Sequence, residues 1–162
     1  MSPTDRRRDV LDSLGRAIVT GEMTPGQSLT LEAIQSRYGV SRTLARDCVH
    51  ALESVGVVTS RRRVGIVVLP REHWSALAPQ LVRWQLEADP HGPTLGALTE
   101  LRAAIEPVAA AAAARRATEE QRSGLLALAA TIRTKGTTGN VASYLDDDIA
   151  FHRLILEASH ND

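Results

Sequence analysis

The sequence predicts a mainly α-helical chain in two parts: three helices with a β-hairpin, and then an all-α bundle that we expect to be truncated. Apolar residues recur at helical spacing through residues 5–54, β-branched runs flank an arginine cluster between 57 and 69, and the rest is alanine-rich and helical in pattern. The predicted parts are a hairpin-containing domain at 1–70, a linker with one short helix at 71–93, and a partial helical domain at 94–162.

The first two helices are marked by periodicity and by capping residues. Residues 5–21 place apolar side chains one, three and four apart, which predicts one buried face. A proline-glycine turn follows at 25–26. Thr30 is a good N-cap for a second helix at 31–37, which ends before Gly39.

A third helix is predicted at residues 42–54, with Ser41 as its N-cap. Its apolar positions fall on one face, and the opposite face holds Arg42, Thr43 and Arg46. Because the two arginines are four residues apart, their guanidinium groups are neighbours that can reach guanine O6 and N7 or a phosphate. The threonine adds a hydroxyl, and the main-chain amides beyond the cap present the positive helix end to a phosphate. An ordinary solvated basic face is the alternative, and the helix alone does not decide between the two.

The hairpin is predicted where the pattern changes from helical to extended, between residues 57 and 69. Arg61, Arg62 and Arg63 would stand at its tip. Three helices and a basic hairpin make a winged helix-turn-helix, in which the third helix enters the major groove and the wing lies against the backbone or minor groove. Three arginines repel one another at close range, so their grouping favours a polyanionic partner over bare solvent.

Charge is distributed unevenly although the chain is neutral overall. Up to Arg71 there are 11 Lys and Arg against 7 Asp and Glu, and beyond it there are 8 against 12. A basic N-terminal part joined to an acidic C-terminal part fits a DNA-binding module with a separate sensing or assembly module. No apolar run approaches the roughly 20 residues of a membrane span, and no hydrophobic segment follows the N-terminal arginines, so we expect a cytoplasmic protein without membrane contact.

Three spaced runs carry a family resemblance. They are Ile18-Val-Thr-Gly-Glu-Met-Thr-Pro-Gly-Gln-Ser-Leu, Tyr38-Gly-Val-Ser-Arg-Thr-Leu-Ala-Arg-Asp and Leu52-Glu-Ser-Val-Gly-Val-Val. The region of residues 10–69 that contains them resembles the GntR family of bacterial regulators. The resemblance implies DNA contacts from the third helix and a wing tip that reaches the minor groove. The residues that match those positions are Ser41, Arg42, Thr43 and Arg46 on the helix, and Arg62, Arg63 and Gly65 on the wing.

The remaining helices are predicted from similar signals. A short helix at 74–88 carries Trp74 and Trp84, which we interpret as anchors between the linker and the helical domain. An alanine-rich helix at 94–117 contains Pro107, which predicts a kink or a division into two pieces. Beyond it we predict a capping box at 118–121, a Gly/Thr loop at 135–140 and a last helix at 141–159.

Two further runs, at 98–117 and 148–159, resemble the all-helical effector domain, or FCD domain, of the FadR-type subgroup of the GntR family. The resemblance implies that Asp148 and His152 bind a divalent metal such as zinc, nickel or manganese, together with two histidines of later helices. The metal would then bind the carboxylate of a small effector. Because the sequence stops at Asp162, we expect at most half of this site, and a metal only if the remaining ligands exist.

The same residues also permit plainer interpretations. Asp148 and His152 are four residues apart on a predicted helix, so they can supply two ligands to one metal or form a surface hydrogen-bonded pair. Arg102 lies on an otherwise apolar helix and requires an anion, either Glu106 one turn away or an effector carboxylate. Of these two partners we favour Glu106.

The sequence thus predicts a DNA-binding transcriptional regulator, a repressor or activator rather than an enzyme, whose partners are a duplex operator and a small carboxylate such as a sugar acid. One alternative is a metal-dependent hydrolase using Asp148 and His152, although no motif supplies its further ligands and base. Another is a helical scaffold without DNA binding. We expect a homodimer, because operators with two half-sites match a two-fold symmetric protein.

Overall fold

The computed structural model describes residues 3–138 and 141–161, and it shows a mainly helical chain in two compact units, Met1–Gly96 and Ala97–Asp162. The predicted fold class is confirmed: three helices and a β-hairpin come first, and the described residues that follow form helices joined by short turns. The elements are, in chain order, α1 (Pro3–Val19), β1 (Ser28–Leu29), α2 (Leu31–Tyr38), α3 (Arg42–Ser54), β2 (Val58–Arg61), β3 (Gly65–Val68), a short 3-10 helix (Arg71–His73), α4 (Pro79–Ala88), α5 (Pro93–Arg116), α6 (Glu119–Thr138) and α7 (Val141–Ala158).

The turn that leads into α3 is fixed by the predicted capping residues. Thr30 Oγ1 accepts the backbone N–H of Ala33 at 3.1 Å, and Ser41 Oγ accepts that of Leu44 at 3.2 Å. Gly39 ends α2 in the left-handed conformation, with φ at 60°, which a residue without Cβ adopts at no steric cost. These local interactions define where α2 ends and α3 begins.

The wing belongs to a three-stranded antiparallel sheet in the order β1-β3-β2. Within the hairpin, Val58 pairs with Val68 and Arg61 pairs with Gly65. β1 adds to the other edge of β3. The sequence analysis did not predict β1, because a strand of two residues has no readable alternation.

One hydrophobic core joins α1, α2, α3, the sheet and α4. The apolar positions that predicted a buried face on α3 are Leu44, Cys48, Val49 and Leu52; the last three are buried as predicted, and Leu44 is only partly buried. Cys48 is fully buried and packs as a small apolar residue, and burial raises the pKa of its thiol. The largest fully buried side chains are Trp84, Leu14, Ile34, Leu52, Leu81, Val57, Val58 and Val68.

The segment that we predicted as a linker packs into the first unit. Its helix, α4, begins at Pro79 and lies against α1 through Trp84, whose side chain is 0% exposed. The indole ring occupies the space over Gly15, where even a Cβ would lie 2.4 Å from ring atoms. Trp74 packs against the same core and donates its indole N–H to Leu69 O at 3.0 Å. The interpretation of the two tryptophans as anchors to the helical domain is therefore wrong.

A buried carboxylate of α1 receives three donors from α4. Asp12 is 6% exposed, and its Oδ1 accepts from Trp84 Nε1 at 2.8 Å, from Gln80 Nε2 at 3.4 Å and from the Arg83 guanidinium. Burial alone would raise the pKa of Asp12, but the hydrogen bonds from Arg83 and Trp84 outweigh it and lower that pKa. The charged carboxylate thus holds α4 on α1.

The second unit is helical throughout the described residues. α5 runs as one helix through Pro107, so the prediction of two pieces is wrong. The capping box forms: Thr118 N donates to Gln121 Oε1 at 3.0 Å, and Gln121 N donates to Thr118 Oγ1 at 3.2 Å. α6 continues to Thr138, so the prediction of a loop is wrong for residues 135–138. The last two residues of the predicted loop, 139–140, lie outside the described residues. The described helices of both units include none that is long and apolar enough to cross a membrane.

Candidate nucleic-acid interface

α3 separates apolar and basic residues onto two faces. Arg42, Thr43 and Arg46 are exposed, as the periodicity predicts. This side of the helix contributes nothing to the core and is available to a partner. The buried side consists of Ala45, Cys48, Val49 and Leu52, each at most 3% exposed.

The two arginines of the exposed face have different surroundings. Arg42 Nη1 donates to Glu32 Oε1 at 2.9 Å, and the two side chains stay 60% and 66% exposed. Arg46 forms no ion pair with any residue that the structure describes. The hydroxyl of Ser41 is engaged in the helix cap, so this residue offers its backbone rather than its side chain.

The wing tip concentrates positive charge. Arg61 is the last residue of β2, and Arg62, Arg63 and Val64 form the turn before β3. All three arginines are exposed. Arg63 adopts φ 63°, the left-handed conformation that closes the turn, and Val64 N donates to Arg61 O at 3.2 Å. The charges therefore project from a defined hairpin rather than from a flexible loop.

Gly65, the first residue of β3 and the pair of Arg61 next to the wing tip, permits a close approach between β3 and β1. Its φ is 103°, and a Cβ at this position would lie 2.5 Å from Leu29 O. Only glycine fits both the conformation and the space. The residue therefore has a structural reason to be there, beside the implied contact with the minor groove.

Glu53, in the last turn of α3, ties the wing to the helix. Its Oε1 accepts the backbone N–H of Ser60 at 2.8 Å, and its Oε2 lies 3.2 Å from Nδ1 of His50. Burial would raise the pKa of Glu53, but the hydrogen bonds from Ser60 and His50 lower it. The charged carboxylate therefore fixes β2 relative to α3.

Two residues near this surface were missed by the sequence analysis. Glu32 is the partner of Arg42 across the turn. Arg6 of α1 donates from Nη2 to Gly39 O at 2.8 Å, so it stabilises the carbonyl end of α2 just before α3. No local pattern signals either contact, because the partners lie 10 and 33 residues apart in sequence.

In the second unit, Glu106 connects the candidate effector and metal residues. Its Oε1 accepts from Arg102 Nε at 2.7 Å, which is the pairing that we favoured, and lies 3.1 Å from His152 Nδ1. Nδ1 is buried and forms no hydrogen bond with any residue that the structure describes. His152 Nε2 lies 3.5 Å from Asp148 Oδ1, the distance of a loose i,i+4 pair.

These residues do not complete a metal site. Across residues 3–138 and 141–161, no group of three or more His, Cys, Asp or Glu side chains is arranged to hold a metal ion. Asp148 and His152 supply two donors, and the nearby Glu106 carboxylate is engaged by Arg102. We therefore assign no chemistry to a metal here.

A three-helix unit with an exposed basic face on its third helix, followed by a basic wing, defines a winged helix-turn-helix protein of the DNA-binding class. Comparison with known families is more specific. The model described as "Bacterial regulatory proteins, gntR family" matches residues 6–68, and the model described as "FCD domain" matches residues 97–162. The chain belongs to the GntR family and carries an FCD domain after its winged helix.

Two curated relatives from Escherichia coli strain K12 agree with this assignment. The chain is 30% identical to the "Uncharacterized HTH-type transcriptional regulator YieP" over 93% of its own length and 66% of that protein. It is 29% identical to the "Galactonate operon transcriptional repressor" over 99% of its own length and 69% of that protein. The chain thus spans about two thirds of the length of these relatives. Both are named as transcriptional regulators, so the comparisons do not favour the hydrolase alternative.

One solved structure supports the fold. It is described as "Lar controls the expression of the Listeria monocytogenes agr system and mediates virulence", and it aligns with a TM-score of 0.53 at 19% identity. The alignment covers 96% of this chain and 64% of that one. At this identity the likeness concerns the backbone arrangement alone.

Proposed function

We propose that this chain binds duplex DNA in a sequence-specific manner, with α3 in the major groove and the wing against the minor groove or the backbone. The observation that carries the proposal is the division of α3: its apolar side chains are all directed to the core, while Arg42, Thr43 and Arg46 stay in solvent. The wing adds three exposed arginines at the end of a paired hairpin. Neither group contributes to the core of the unit.

Arg46 is the residue best placed to read a base. Its guanidinium is exposed and has no ion pair within the described parts of the chain, so binding does not first require breaking an internal contact. A planar fork of donors matches guanine O6 and N7, and such a pair discriminates against a wrong base by about 1–3 kcal/mol. Thr43, on the same face, contributes a hydroxyl to a base or a phosphate.

The remaining contacts position the unit on the duplex. The Ser41 cap occupies the Leu44 amide, and the earlier amides of the first turn of α3, at Arg42 and Thr43, suit a phosphate. Arg61, Arg62 and Arg63 release counterions from the backbone or enter a narrow minor groove. Gly65, next to the wing tip, keeps the start of β3 close to Leu29 and so helps to set where the tip lies.

We further propose that the FCD domain responds to a small carboxylate such as a sugar acid. The support is Arg102, an exposed arginine on α5 whose one described partner is the Glu106 carboxylate. An effector carboxylate would replace Glu106 at Arg102 and thereby free Glu106 beside His152. One relative is named for the galactonate operon, and galactonate is such an acid.

We also propose that the chain acts as a homodimer. The second unit exposes several large apolar side chains, among them three at spacings of four and three residues on one face of α5, and such an apolar face suits an assembly surface. A two-fold symmetric pair would present two copies of α3 to two half-sites. The exposed residues are Leu101, Ile105, Val108, Leu126, Leu145, Ile149 and Leu156.

The DNA-binding proposal is tested by fluorescence anisotropy with a pool of labelled random-sequence duplexes, followed by selection of bound sequences. Arg46→Ala should weaken binding to the selected sequences about tenfold, because it removes one bidentate base contact. Arg122→Ala is the matched control, since this arginine is similarly exposed but lies in the second unit against Glu119. The control should bind like the wild type.

Two results would contradict the proposal. One is a wild-type affinity that does not fall as salt rises, since every phosphate contact releases counterions. The other is equal binding by Arg46→Ala and Arg122→Ala. The first result would favour the scaffold interpretation, in which the winged helix contacts a protein, and the second would show that Arg46 does not contact the DNA.

A further inference from the structure

Glu32 places a negative charge on the surface that the proposed function assigns to DNA. It is the second residue of α2, Arg42 is the first residue of α3, and the pair closes the gap between the two helices at 2.9 Å from Oε1 to Nη1. Both side chains are more than half exposed, so the contact lies in solvent. A carboxylate in this position opposes the approach of phosphates, because like charges repel.

The carboxylate is charged at neutral pH. The hydrogen bond from its own backbone N–H, and then the Arg42 guanidinium, lower the pKa of Glu32. Its location in the first turn of α2 also suits a negative charge, since the N-terminal end of a helix is positive. The charge is therefore a stable feature of the surface in the free protein.

The contact with Glu32 leaves most of the arginine free. It uses Nη1, whereas the guanidinium has five N–H donors in a planar fork. No described residue accepts from the edge formed by Nε and Nη2 of Arg42. That edge can donate two parallel hydrogen bonds to the O6 and N7 atoms of a guanine while Glu32 keeps its hold on Nη1.

We propose that Glu32 is a specificity-determining residue, which holds Arg42 for base reading and opposes its use as a phosphate clamp. This inference rests on the proposed DNA-binding function. If Arg42 moves to a phosphate, the Glu32 carboxylate is left unpaired beside the polyanionic DNA. The resulting repulsion weakens binding to every DNA sequence equally. If Arg42 donates to a guanine, the ion pair remains. Glu32 therefore weakens non-specific binding more than specific binding.

Glu32→Gln tests this role in the full chain. The variant should bind the unselected pool of random-sequence duplexes about fivefold more tightly at low salt, because one repulsive charge is gone. Sequences selected by the variant should show weaker base preference at the same positions that Arg42→Ala weakens. If Glu32 had only a structural role, Glu32→Gln would not weaken the base preference at the positions that Arg42 reads.

Glu22→Gln is the matched control. Glu22 pairs with Arg37 at 3.6 Å, and the two side chains are 64% and 57% exposed, so the same charge is removed from a similar pair in the same unit. It should leave the base preferences unchanged and tighten binding to the pool less than Glu32→Gln does.

The proposal is overturned if Glu32→Gln binds the pool no more tightly than Glu22→Gln, or if its base preferences equal those of the wild type. In that case salt-dependent binding by the wild type would leave the proposed function standing. A wild type that binds no duplex would instead remove the proposed function, and with it the role of Glu32.

Discussion

Replacing Gly15 by alanine should separate α4 from α1 without harming α1 itself. The new Cβ would lie 2.4 Å from the indole atoms of Trp84, whereas ordinary contact begins near 3.4 Å, so the ring must retreat by about 1 Å. Trp84 is fully buried and is held by Asp12, so the retreat either stretches that hydrogen bond or shifts the whole of α4. No flexible side-chain end is available to absorb the displacement.

The magnitude follows from two opposing effects. Overpacking of a buried site costs typically about 1–3 kcal/mol. Alanine in place of glycine inside a helix contributes about 0.5–1 kcal/mol in favour of the folded state. The expected result for Gly15→Ala is therefore a free energy of unfolding that is lower by about 1–2 kcal/mol.

Urea unfolding monitored by tryptophan fluorescence measures both the stability and the environment of the indole. The chain has two tryptophans, and the emission of native Gly15→Ala should shift to the red as Trp84 becomes more exposed. Gly96→Ala is the control, because it lies within α5 and a Cβ there meets nothing within 4 Å. The control should be as stable as the wild type or slightly more stable.

The reasoning is refuted if Gly15→Ala unfolds at the wild-type urea concentration with unchanged native emission. That outcome would mean that α4 does not pack on α1 in solution, and the linker interpretation would return.

Two further predictions concern residues that fix the first unit. Because the pKa of Asp12 is lower in the folded state, its charge contributes stability that is present above pH 3.8, the usual value, and is lost as the pH falls through the folded-state pKa. In Asp12→Asn, the melting temperature should therefore fall less steeply at acid pH than in the wild type. An unchanged acid dependence would show that Asp12 is not responsible. Gly65→Ala should destabilise the chain more than Gly26→Ala, because both have positive φ but only Gly65 has a backbone oxygen, Leu29 O, within 2.5 Å of the new Cβ; equal melting temperatures would contradict the close approach.

The features that could be predicted from the sequence are those with local signals. The caps at Thr30 and Ser41 and the box at Thr118 depend on residues three apart, so a reader of the sequence sees both partners together. The basic face of α3 follows from helical periodicity, and the arginine-rich tip follows from the two strands on either side of it.

The features that could not be predicted depend on distant partners or on packing that overrides local preference. The indole of Trp84 and the carboxylate of Asp12 are 72 residues apart, so nothing local showed that the supposed linker helix belongs to the first core. The Gly/Thr composition near Lys135 suggested a loop, yet α6 continues to Thr138, because helix propensity is a weak signal when a packed neighbour such as α7 is present.

The candidate site shows the same division. The exposed arginines could be predicted because each is placed by the helix or hairpin on which it lies. The pairing of Arg42 with Glu32 could not, because the geometry of the turn between α2 and α3 decides which side chains meet across it. In the sequence, Glu32 is one of seven acidic residues in the N-terminal part, and nothing distinguishes it from the others. In the structure it lies beside Arg42, a candidate base-reading arginine.

The central claim is that α3 and the wing bind one duplex together. It is tested most directly by measuring affinity for a selected duplex against salt concentration, as the slope of log affinity against log salt. The four proteins compared are the wild type, Arg46→Ala, Arg62→Ala and the double variant. If both arginines contact the same DNA, Arg62→Ala should reduce the slope by about one unit, Arg46→Ala should weaken binding to the selected sequence about tenfold at each salt concentration, and the double variant should show both effects. Wild-type affinity in Arg46→Ala, or a wild-type slope in Arg62→Ala, would contradict the claim.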